Sequence, residues 1–175
     1  MRRAVSILGL LLASSVMGCT REPGPPVPLR SIVLHDVQGM WGGHALWARA
    51  DGTAVVQVVG AGPPGEAGLW EKRYRVKLTA DQWAEVERLV GAHHFLTIEV
   101  RQRPAIPDEA HPTIAVVTRE GTTARATKWA EDRHPDFDPL YHHLLDLCSG
   151  DGAGHPVHQG PYDWDWRPDG FDRPW

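Results

Sequence analysis

Apolar positions in this chain repeat every second residue in some stretches and at helical spacing in others. That switch sets out the elements. Ser31 to Val37 is a β-type run, and the glycine-rich segment Gln38 to Gly43 turns the chain. His44 to Ala50 and Thr53 to Val59 flank Asp51-Gly52, which predicts a two-residue hairpin because both turn residues tolerate positive φ. Gly60 to Gly68, with its glycines and prolines, reads as an exposed loop, and Tyr74 to Leu78 as a short strand.

Helical spacing begins at Thr79. Thr79 caps, Gln82 completes a capping box, and Leu78 with Trp83 forms a hydrophobic staple. Trp83, Val86, Leu89 and Val90 share one face, and Gly91 is the expected stop. Phe95, Leu96 and Ile98 form a short apolar stretch, and Arg101 to Pro112 is a proline-containing loop. Thr113 to Arg119 and Thr122 to Trp129 surround Glu120-Gly121, a second hairpin, and Glu131 to Phe137 is a polar connection. Asp138-Pro139 then opens a helix, with a capping Asp and a Pro where a missing N–H is harmless. Leu140, Leu144, Leu147 and Cys148 line one side of it, and Gly150 ends it. Strands, helix, strands, helix, joined by hairpins, predict an α+β domain over residues 31–149: an antiparallel sheet with two helices packed on one face.

Both ends of the chain break the pattern. Arg2 and Arg3 precede an apolar segment, Ala4 to Leu12, too short to remain as a membrane-spanning helix, and small residues follow. Residues 1–18 therefore read as a secretory signal. Val16-Met17-Gly18-Cys19 resembles the bacterial lipobox, with Met17 where Ala, Ser or Gly is usual. The resemblance implies that Cys19 is acylated and becomes the N-terminus of a membrane-anchored, extracytoplasmic lipoprotein, its partner being membrane lipid. Thr20 in place of Asp implies, by the same resemblance, no retention at the inner membrane of a two-membrane bacterium. Residues 19–30 carry the anchor and a proline-rich stretch that should form an extended tether lifting the domain off the membrane. At the other end, residues 150–175 are dense in Gly, Pro, Asp and Trp without a period. That composition predicts disorder. The alternative is that the tryptophans dock on the domain or on a partner.

Composition narrows function mainly by exclusion. The chain has 175 residues, 42% hydrophobic and 23% charged, which suits one domain with one core. A net charge of −4 gives no electrostatic case for nucleic acid. With Cys19 acylated, Cys148 is left alone, and its place on an apolar helical face reads as a buried small hydrophobe. No Gly-x-Ser-x-Gly, phosphate-binding loop, Cys-x-x-Cys or His-Glu-x-x-His occurs, so no catalytic residue, metal or cofactor is assigned. His93-His94 and His142-His143 are adjacent pairs whose members diverge on a helix, and nothing in their spacing demands a metal. As a hypothesis, the ten histidines would let the surface charge respond between about pH 5 and 7. Asp163, Asp165, Asp169 and Asp172 hint at a calcium loop, but Arg167 and Pro168 occupy positions that such a loop needs otherwise.

The remaining signal is aromatic. Trp41, with Met40 beside it, sits in the glycine-rich turn, Trp70 in the long loop, and Trp164, Trp166 and Trp175 in the tail. Tryptophan on loops supplies contact area at low entropy cost, so Met40, Trp41, Trp70, Trp164 and Trp166 are the candidate partner-binding residues. Against that stands burial: Trp47, Trp83 and Trp129 fit core positions, and the loop tryptophans can fold back over the sheet.

From Gly39 to Leu147 the chain resembles a loose group of small bacterial domains often found in lipoproteins, and among them the emfourin type of proteinaceous metalloprotease inhibitor. The shared parts are Gly42-Gly43, Asp51-Gly52, Leu78-Thr79-Ala80-Asp81-Gln82, Phe95-Leu96, Pro107-Asp108, Thr113 to Lys128 and Leu140 to Leu147. No functional residue carries over. Three readings follow: a non-enzymatic, membrane-tethered binding or envelope module; an inhibitor of a secreted or envelope metalloprotease, presenting Met40-Trp41; and a hydrolase with a His/Asp/Glu site drawn from Asp108, Glu109, His111 or His134.

Overall fold

The computed structural model describes residues 22–101, 103, 110–149 and 154–171. Residues 1–18, Cys19, Pro107, Asp108, Glu109, Asp172 and Trp175, to which the sequence assigned roles, lie outside the described residues.

The chain is an α+β fold. Its strands are β1 (Leu29–Gln38), β2 (Gly42–Arg49), β3 (Thr53–Ala61), β4 (Leu69–Lys77), β5 (Thr113–Thr118), β6 (Thr123–Thr127) and β7 (His158–Pro161), and its helices are α1 (Ala80–Ala92) and α2 (Asp138–Ser149). A 3-10 turn covers Phe95–Thr97. The seven strands form one sheet in the order β6-β5-β1-β2-β3-β4-β7, and every described pairing is antiparallel. Strands β1 to β4 form a meander. The chain must then cross from β4 to β5, four strand spacings or about 19 Å. The 13 residues of α1 span about 20 Å, which matches that crossing.

Alternation along the strands explains why the helices choose one face. Ile32 and Leu34 of β1, Leu46 and Ala48 of β2, Ala54 and Val56 of β3, and Ile114 and Val116 of β5 all point to one side. They meet Trp83, Val86 and Val90 of α1 and Leu140, Leu144 and Cys148 of α2. Fully burying one such side chain contributes roughly 1.5–3 kcal/mol. The opposite, outer face carries a second cluster of Val33, Ala45 and Trp47, with Val37, Trp166 and Phe171 packed on it.

Local chemistry accounts for most element ends, with four corrections. Thr79 and Gln82 form the expected reciprocal capping box, but Gly91 does not stop α1. The helix runs to Ala92 with His93 as its C-cap. Gly91 serves packing instead, since a Cβ there would lie 1.8 Å from the carbonyl oxygen of Pro25. The Asp51-Gly52 hairpin is not a two-residue turn. The Gly52 N–H bonds the Arg49 carbonyl at 2.9 Å, and only Gly52 takes positive φ, so Ala50 joins the loop. Glu120-Gly121 repeats this, with the Gly121 N–H on the Thr118 carbonyl at 3.0 Å. Asp138 does begin α2, but its carboxylate accepts from the His134 N–H at 2.9 Å and faces the buried Lys128 ammonium at 3.1 Å. Lys128 is deep in the domain, so it claims the nearest carboxylate.

The tether and the tail also differ from expectation. Residues 22–28 do not stand free: the Val27 N–H bonds the Glu87 carbonyl at 3.0 Å, and His94 Nε2 donates to the Glu22 carbonyl at 2.9 Å. Proline-rich backbone needs no ladder, only a flat surface, and α1 offers one at Gly91. Residues 154–171 are likewise ordered against the domain. β7 pairs with β4 from Trp70↔Pro161 to Arg73↔His158. β4 was the sheet edge, and its unpaired backbone groups capture the tail.

Candidate functional site

The turn between β1 and β2 comprises Gly39, Met40 and Trp41, and it cannot fold inward. A Cβ on Gly42 would lie 2.1 Å from the Val59 carbonyl oxygen, and one on Gly43 1.9 Å from that of Asp36. The start of β2 is thus wedged between two neighbouring backbones, and only glycine fits. Met40 and Trp41 are left in solvent, 59% and 74% exposed. The tail brings a third apolar group to them. A Cβ on Gly39 would sit 3.6 Å from the Trp164 ring, and Trp164 is 50% exposed. Tyr162 braces it, ring centroids 4.6 Å apart.

A turn at Asp163 sorts the two tail tryptophans to opposite sides. Asp163 accepts from the Asp165 N–H at 2.9 Å with its carboxylate and from the Trp166 N–H at 3.3 Å with its carbonyl. Trp164 goes outward and Trp166 inward. Trp166 meets Trp47 edge-on, 5.4 Å between centroids. The Arg73 guanidinium lies 3.6 Å from the Trp166 ring centroid. Trp166 therefore cements the tail and is not part of the exposed patch. Trp70 is not in a loop: it lies in β4 between Gly60 and Pro161, half-buried, and Gly62 lies against its ring, where a Cβ would be 2.4 Å from Cδ1. Of the five partner-binding candidates, Met40, Trp41 and Trp164 come together, while Trp70 and Trp166 lie apart from them.

Beneath the tail is a buried polar knot that the sequence did not announce. Glu71 is fully buried and accepts from Gln57 Nε2 and Arg73 Nη2. His158 of β7 brings its Nε2 to 3.3 Å from the same carboxylate. Burial, then the Glu71 and Asp163 charges, push the Tyr162 phenol up to about 12. The available signal was alternation in β4, where Glu71, Arg73, Arg75 and Lys77 stand opposite Trp70, Tyr74 and Val76. A short strand over Tyr74 to Leu78 concealed that pattern.

The other candidates are engaged separately. His134 bonds the Glu99 carbonyl through Nε2 at 2.9 Å and accepts the Asp136 N–H on Nδ1 at 3.3 Å. The His111 ring lies 3.9 Å from Trp129, edge to face. His93 approaches Asp136 at 3.8 Å. Among the described residues no three His, Cys, Asp or Glu side chains gather as metal ligands. Cys148 is buried in the core, and burial, helped by the Asp36 charge, pushes its thiol up to about 12. Asp36 also accepts from the Tyr141 hydroxyl at 2.6 Å, tying α2 to β1. No described helix is long and apolar enough to cross a membrane.

Comparison with known protein families, curated proteins and solved structures finds no match to the chain.

Proposed function

We propose that this chain is a lipid-anchored, extracytoplasmic binding module that engages a protein partner through Met40, Trp41 and Trp164. The observation that carries the reading is the exposure of these three large apolar side chains, with the Trp164 ring beside Gly39 of the turn that bears Met40 and Trp41. Contiguous exposed apolar groups of this kind mark interaction surfaces, and tryptophan commonly anchors them.

The test has two arms. Intact mass and metabolic acyl labelling, with Cys19→Ser as control, address the anchor; an unacylated Cys19 sinks that half. A photo-crosslinker at position 41 in the native envelope addresses the surface. A discrete adduct lost in the Trp164→Ser variant supports the tip, and identical crosslinks with and without Trp164 refute it.

A second reading, inhibition of a metalloprotease, is favoured by the rigid protruding turn that Gly42 and Gly43 hold. Micromolar soluble domain added to thermolysin-like proteases tests it. Inhibition abolished by Trp41→Ser supports it, and undiminished proteolysis ends it.

A further inference from the structure

Outside the apolar tip, the outer face carries a groove of about 480 Å³ over β1, β5 and β6, bordered by Gly170 and Phe171 of the tail. Two cross-strand rows build it. Val33, Ala115 and Arg125 pair in one row across β1, β5 and β6. Arg49, Ser31 and Val117 pair in the next. The floor is thus apolar, and arginine stands at either side of it. Phe171 of the tail forms a wall, held by the Arg49 guanidinium 4.7 Å from its ring centroid and by the bond from Arg49 to the Asp169 carbonyl.

Charge decides what such a groove accepts. The chain carries a net −4, yet Arg30, Arg49 and Arg125 line this groove and no Asp or Glu does among the described residues. Arg49 is occupied with Phe171 and Asp169. Arg30 and Arg125 take part in no ion pair among the described residues. A guanidinium fork matches a carboxylate in two parallel hydrogen bonds. The volume falls in the range of small-molecule sites, roughly 300–1,000 Å³, which pair an apolar lining with a few placed polar groups.

We propose that this groove binds a medium-chain fatty carboxylate, its head on Arg125 and its chain over Ala115, Val117 and Val33 against Phe171. A fully hydrated anion such as phosphate would gain nothing from that floor, and a cationic amphiphile would meet three guanidiniums. The site is independent of the tip, which lies at the β1–β2 turn.

Calorimetric titration of the mature chain with decanoate tests this, with decyltrimethylammonium and decanol as charge controls. Decanoate should bind, the cation should bind at least tenfold more weakly, and Arg125→Gln should weaken decanoate about tenfold, about 1.4 kcal/mol. Amide shifts should map to Ala115 and Val117. Trp41→Ser, which disables the tip, should leave decanoate affinity unchanged. The proposal is overturned by a Kd above about 1 mM, by equal affinity for the cation, by an unaltered Arg125→Gln variant, or by shifts confined to the tip.

Discussion

Arg73 and Trp166 come from β4 and from the tail, and the guanidinium of one lies 3.6 Å from the ring centroid of the other. This contact joins the polar knot around Glu71 to the aromatic pair Trp47–Trp166. It makes the outer face a second, smaller core, chemically unlike the helix-covered one.

Removing the aromatic half should cost stability without unfolding the sheet. Trp166→Ala strips Trp47 of its edge-on partner and Arg73 of its ring, with an expected loss of about 2–3 kcal/mol, below the fully buried Trp→Ala range because Trp166 is only partly buried. Trp166→Phe should recover more than half. Urea midpoints read the loss, and hydrogen exchange should show it concentrated in His158–Pro161. Uniform exchange across β1 to β7 would contradict a local role.

The ionic half should be less forgiving. Glu71→Ala leaves the buried Arg73 charge uncompensated and Gln57 without its acceptor, for an expected loss of about 3–5 kcal/mol. Glu71→Ala with Arg73→Met should be better tolerated than the single change, because the orphaned charge goes too. A double-mutant cycle with no coupling would show that the pair is not energetically linked.

His35 predicts a specific pH dependence. It lies on the outer face between Ala45 and Thr113, and burial lowers its pKa from 6.5 to about 4. The unfolded chain therefore binds more protons than the folded one between those values. The contribution is complete above about pH 6.5 and is lost as pH falls toward 4, amounting to something on the order of 3 kcal/mol. Unfolding free energy measured from pH 7 to 4 should fall accordingly, and His35→Asn should flatten the slope. An unchanged slope in that variant would assign the acid sensitivity elsewhere.

Gly91→Ala separates helix propensity from docking. Alanine favours the helix by about 1 kcal/mol, yet its Cβ would strike the Pro25 carbonyl at 1.8 Å. Residues 22–28 should detach and become susceptible to proteases, while α1 remains intact by circular dichroism. A chain truncated before Leu29 should then be insensitive to the same substitution.

Local rules made much of the fold legible in advance. Thr79 with Gln82 names the start of α1, and Gly52 and Gly121 name two hairpins, because each depends on neighbours within a few residues. The α+β class follows from the same alternation and spacing. The exposed tip was half legible: Met40 and Trp41 sit on a turn that Gly42 and Gly43 announce, but nothing in the sequence brings Trp164 to Gly39.

Long-range pairing decided the remainder. His158 to Pro161 has no strand period, and it becomes β7 only because β4 offers an unpaired edge. Trp164 and Trp166 look equivalent in sequence, yet one faces solvent and the other covers Trp47. The sequence assigns Glu71 no place, and Gln57, Arg73 and His158 converge on it only in the fold. The chain by itself thus determined where helices and turns begin, since capping and turn chemistry act over short contour lengths. Which surfaces are covered, which charges are buried and where the tail lies were set only by the tertiary structure, because those depend on edges and faces that exist once the sheet has assembled.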